Sequence, residues 1–176
     1  QSPQISRLGA SSCGVKSRGG QAASWTLAGN FLPGTPTDKK VLLHVALGDY
    51  QVTQWSAEIM ARTIGAAVHE PTVSLGEHPD SNPYFDIPLI SYPHQGHALM
   101  VWDSGDFDIK AGRGTPFPPT NNTGPTAGDD PHSSPRSTVA ARQQASDFMQ
   151  PGANVTDVCG DSPCFSDDYT GLSRND

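Results

Sequence analysis

The sequence predicts an α/β protein: a small parallel sheet with flanking helices, broken by long Pro/Gly-rich loops. Three observations carry this. An apolar run, Val41–Leu47, stops at Gly48-Asp49 and passes into a helical pattern. A second apolar run, Ala98–Trp102, follows a stretch holding four prolines and is closed by Asp103-Ser104-Gly105-Asp106. Composition sets the rest: 35% hydrophobic residues against 18 Gly and 16 Pro leave enough for one modest core and a good deal of irregular chain.

Residues 1–24 have isolated apolar residues and no period, which reads as a flexible arm. The main domain is expected over 25–152. It begins with an apolar patch at Trp25 and the turn Pro33-Gly34-Thr35-Pro36. The run Val41–Leu47 is apolar on both faces apart from His44, the pattern of a central parallel strand, with His44 structural. The next helix has Thr53 or Ser56 as its cap. Trp55, Ile59, Met60 and Thr63 recur at helical spacing, so Trp55 and Met60 are expected in the core. Glu58 and Arg62 form an i,i+4 pair on the opposite side, and Gly65 is the stop. Residues 66–97 read as loop, 98–102 as the second strand and 104–135 as a long loop. A last helix is expected from Ser137 to Met149, ended by Pro151-Gly152. Residues 153–176 form a Cys-containing acidic tail with a frayed end.

Lys plus Arg number 11 against 18 Asp plus Glu, a net charge of -7. Nucleic acid is therefore excluded as the main partner, because phosphate binding needs a basic face. No apolar run is long enough to span a bilayer. The chain opens on Gln1 without a visible signal peptide, which reads as a processed chain or a fragment. Cys159 and Cys164 close a short Gly/Pro-containing loop that suits a local disulfide, with Cys13 left over. Unpaired thiols are one alternative. A zinc site is another, disfavoured because only one close Cys pair exists. A disulfide implies an oxidising compartment, hence a secreted or periplasmic chain. The triplets at Asn121 and Asn154 are glycosylation acceptors only in a host that glycosylates. Asp103, Asp106 and Asp108 have calcium-like spacing but lack the terminal Glu of an EF-hand loop, so no metal is expected there. No phosphate loop or dinucleotide fingerprint is present, and no cofactor is expected.

The order strand, Gly48-Asp49, helix, loop, strand, long loop with His132, helix resembles the final third of an α/β-hydrolase. The likeness covers roughly residues 30–150 and is greatest to large secreted bacterial serine esterases and lipases, whose Cys-Gly-x-x-Pro-Cys-like tails are similar to Cys159–Cys164. It implies a partial hydrolase-type parallel sheet, comprising the last two strands and their helices. It also implies a Ser-His-Asp mechanism on carboxylic esters, in which the acid fixes the imidazole tautomer and stabilises the imidazolium. Asp49 falls at the position of the acid. The eye-catching histidines, His94 and His97 in Pro-His-Gln-Gly-His, precede the second strand. The resemblance requires a histidine after the last strand and before the last helix, and His132 alone stands there. His97 is the weaker candidate.

The nucleophile is not evident. The family's Gly-x-Ser-x-Gly turn does not occur. Ser11 and Ser12, in Gly9-Ala10-Ser11-Ser12-Cys13-Gly14, have small neighbours but the wrong glycine spacing. The serine is thus expected in this arm or on a complementing N-terminal hydrolase segment. Two strands with one helix each would leave edges and apolar faces uncovered, so a homo-oligomer or such a complex is expected. The rival readings are a catalytically inactive hydrolase-like fragment and a secreted binding module.

Overall fold

The computed structural model describes residues 40–73, 82–116 and 126–173. They form a mixed α/β fold with a four-stranded, all-parallel sheet and three helices. In chain order these are β1 (Leu42–Ala46), α1 (Gln54–Ile64), β2 (Ala67–Val68), β3 (Ala98–Asp103), α2 (Ser134–Ser137), α3 (Val139–Phe148) and β4 (Cys164–Phe165). A 3-10 turn, Pro131–Ser133, leads into α2.

β3, not β1, is the central strand. All six of its residues are buried, whereas β1 is mostly half-buried. β1 pairs along one edge of β3, from Leu42 opposite Ala98 to Ala46 opposite Trp102. The other edge is shared, with β2 at its start and β4 at its end. Among the described residues β1 has no second strand partner. The apolar run therefore marked a strand correctly but not its place in the sheet. An apolar edge strand reads the same when helices cover both its faces.

The period of two divides the core. On one face Leu99 and Val101 pack with Leu47, Ala61, Ile64, Val68 and Ile87, flanked by Leu43 and Val45. On the other, Met100 and Trp102 pack with Ala141 and Cys164, flanked by Leu42. α1 covers the first face and α3 the second.

The faces of α1 differ from the expected ones. Its buried stripe is Gln54, Glu58, Ala61 and Ile64, while Trp55 is 45% exposed. Gln54 turns inward because its Oε1 accepts from the Gly48 N–H at 2.8 Å, a donor that would otherwise be orphaned. Arg62 lies against the chain on that side, its Nε donating to Phe85 O at 2.7 Å and its Nη2 to Pro83 O. Thr53 occupies the N-cap without a side-chain capping bond, and Gly65 ends the helix in the left-handed conformation at φ 70°.

The long loops hold short pieces that no periodicity announces. β2 is two residues long, and Val68 also bridges Leu89. The segment expected as a separate tail threads back to give β4. There Asp168 accepts from Ser134 Oγ and Ser166 Oγ, and Thr170 Oγ1 donates to Asp106 O. The Cys159–Cys164 disulfide is formed, with Cα atoms 5.1 Å apart. Cys13 and the 1–24 arm lie outside the described residues. No helix among the described residues is long and apolar enough to cross a membrane.

Candidate functional site

Gly48, in the turn just after β1, has φ +78°, and a Cβ there would stand 2.7 Å from Thr115 Cγ2. Only glycine fits both the backbone and the space. The turn presents Asp49 just beyond the carboxyl end of β1. Asp49 Oδ1 accepts from the N–H groups of Gln51 at 2.8 Å and Val52 at 2.9 Å. The same carboxylate thus caps its own turn, and that bond set leaves Oδ2 directed elsewhere. Oδ2 meets His132 Nδ1 at 2.7 Å. The structure therefore brings together the two residues singled out as acid and histidine, 83 positions apart in the chain.

A second acid joins the two loops. Asp130 Oδ1 accepts from His132 N at 3.0 Å, capping the 3-10 turn, and from Tyr50 N at 3.3 Å. Its Oδ2 accepts from Gln51 Nε2 at 2.8 Å. Burial pushes the Asp130 carboxyl up. The bonds from Gln51, His132 and Tyr50, with the charge of His132, outweigh that and hold it below the ordinary range. Sequence reasoning gave Asp130 no role. The signal was there: an Asp before Pro is a common helix start, with the proline at the first helical position.

In neutral His132 the proton sits on Nδ1, since Nδ1 must donate to a carboxylate. Nε2 then carries the lone pair, and it has no hydrogen-bond partner among the described residues. The His132 side chain is 26% exposed and that of Asp49 8%. Both line a cavity of about 670 Å³, bounded by β1, by Ser56 and Met60 of α1, and by Pro135 and Arg142 beyond the histidine. His44, Leu42 and Ala46 also line it. A solvent-reachable imidazole with a fixed tautomer, on a largely aliphatic cleft, can accept a proton from a hydroxyl or water and return it.

The remaining candidates lie elsewhere. His97 is at the opposite end of β1, where its Nδ1 accepts from Val41 N at 3.0 Å. Burial, with His94 beside it, lowers its pKa. His44 donates from Nε2 to Gln144 Oε1 at 2.8 Å, and burial lowers its pKa. Gln144 in turn donates to Thr156 O at 2.6 Å, so His44 is tied into a partly buried hydrogen-bond chain and not to Asp49. Asp106 and Asp108 cap their own turns, accepting from Phe107 N and from Lys110 N and Ala111 N, and Asp103 accepts from Gly105 N. Ser11, Ser12 and His78 lie outside the described residues. Among the described residues no serine hydroxyl is hydrogen-bonded to His132. Ser133 Oγ accepts from Arg136, and Ser134 Oγ donates to Asp168.

Comparison of the chain with protein-family models, with curated proteins and with solved structures finds no match.

Proposed function

We propose that this chain carries the acid–histidine half of a Ser-His-Asp-type carboxylic ester hydrolase of the α/β-hydrolase kind, from a secreted or periplasmic protein. The observation that supports the reading is the 2.7 Å bond from His132 Nδ1 to Asp49 Oδ2 at the carboxyl end of a parallel strand, with Nε2 left free for a substrate or nucleophile proton. Asp49 orients the ring and stabilises the imidazolium; His132 acts as general base on the attacking hydroxyl and then as general acid on the leaving alcohol. The disulfide is compatible with an oxidising compartment. The nucleophilic serine comes from residues 1–24 or from a complementing segment of hydrolase chain.

Hydrolysis of short-chain p-nitrophenyl esters by the purified chain tests this, with Asp49→Asn and His132→Ala beside it. Activity that falls by about 10³-fold or more in both variants supports the pair as catalytic. Equal rates in all three proteins reject it. Fluorophosphonate labelling with peptide mapping locates the serine. A folded chain that takes no label and hydrolyses no ester favours the inactive, binding-only reading.

A further inference from the structure

The imidazole of His69 stands against the Cys159–Cys164 disulfide, on the far side of β3 from β1. One ligand atom each from His69, Cys159 and Cys164 lies within 4.8 Å of the other two. His69 is 3% exposed and Cys164 1%. His69 Nε2 bonds to Ser162 O at 2.9 Å, inside the loop that the two cysteines close. Its Nδ1 meets Tyr92 Oη at 2.8 Å. We propose that, once the disulfide is reduced, His69, Cys159 and Cys164 form a site for a soft divalent cation such as Zn²⁺.

The chemistry fits in three respects. Two thiolates and one imidazole are a common zinc donor set, and a four-residue spacer between the cysteines is within the range of zinc loops. The ring is also supported for either tautomer. With the disulfide intact, Nε2–H donates to Ser162 O, and Nδ1 accepts from the Tyr92 hydroxyl. With a metal on Nε2, Nδ1–H donates to Tyr92 Oη, and the hydroxyl turns its hydrogen to Met100 Sδ, 3.8 Å away. A ligating histidine whose other ring nitrogen donates to a fixed oxygen is the usual supporting arrangement around zinc. Finally, two thiolates neutralise the cation, so no net charge is buried.

Disulfide and metal exclude one another. Reduction by a dithiol moves two electrons and two protons: the dithiol closes to its cyclic disulfide, and Cys159 and Cys164 become thiols. Binding of M²⁺ then releases the two thiol protons, and His69 supplies a lone pair. A fourth position is left for water.

Anaerobic Co²⁺ titration of the full chain, reduced with a phosphine and then desalted, tests the proposal. The expected result is one equivalent bound, with a thiolate-to-cobalt charge-transfer band. The disulfide form and Cys159→Ser should lack the band, Cys13→Ser should keep it, and His69→Gln should bind at least about 10-fold more weakly. Zn²⁺ should slow alkylation of Cys159 and Cys164 but not of Cys13. Binding that is unchanged in His69→Gln, including binding by a chain unfolded on reduction, overturns the site. So does binding lost in Cys13→Ser, or alkylation of Cys159 and Cys164 indifferent to Zn²⁺.

Discussion

Replacing Glu58 by glutamine should make the fold more stable at neutral pH and change its pH dependence. Glu58 is 5% exposed on the inner face of α1. Burial raises its pKa from 4.5 to about 7, and Arg62 offsets only part of that. Between those two values the unfolded chain ionises the group while the folded chain keeps it protonated. The folded state therefore binds more protons, and stability falls as pH rises through this window, the loss being complete above about pH 7. At about 1.4 kcal/mol per pH unit, the displacement is worth about 3 kcal/mol. A glutamine side chain has nearly the same shape and no charge to lose. The Glu58→Gln variant should match the parent near pH 4 and exceed it by up to about 3 kcal/mol near pH 8. Urea denaturation across this range, followed by tryptophan fluorescence, measures the difference. His44, His97 and Asp130 have lowered pKa values and give the opposite slope, with stability lost as pH falls through their folded pKa values. All three groups are present in parent and variant, so they cancel in the comparison. Parallel stability curves would refute the assignment of Glu58 to the buried face, and with it the packing of α1.

Two further substitutions probe what holds the site. Gly48→Ala should destabilise the chain by about 1–3 kcal/mol in the same denaturation assay, because φ +78° is strained for alanine and the new Cβ meets Thr115. If the variant is as stable as the parent, the turn before Asp49 is not built as described. Gln144→Ala should cost about 2 kcal/mol or more, since it leaves both His44 Nε2 and the Thr156 carbonyl without the amide that joins them. A neutral effect on the urea midpoint would show that water replaces the amide.

What the sequence made legible depends on the kind of information involved. Chain order is written in the sequence. A histidine after the second apolar strand, β3, and before the final helices falls near the carboxyl end of the sheet, and His132 does reach Asp49 there, while His97, before β3, is tied to the other end. The two apolar runs were legible as strands because neither alternates: β3 is buried along its whole length, and β1 is half-buried on both faces. Strand neighbours were not legible. β2 and β4 are two residues each, too short for a period, and they cover one edge of β3 and so make it central.

Helix faces were misread for a related physical reason. Periodicity treats polar residues as solvent-facing, yet the inner face of α1 carries Gln54 and Glu58, and that of α3 carries Gln144. Gln54 and Gln144 turn inward because buried polar groups need partners: the Gly48 N–H, the His44 ring and the Thr156 carbonyl. On α1 the exchange carries Trp55 outward, to 45% exposed, while Met60, as expected, stays packed against the core with Ala61 and Ile64. Gln54 thus fixes the backbone that leads into Asp49, and Gln144 fixes His44 on the wall of the cleft that Asp49 and His132 share.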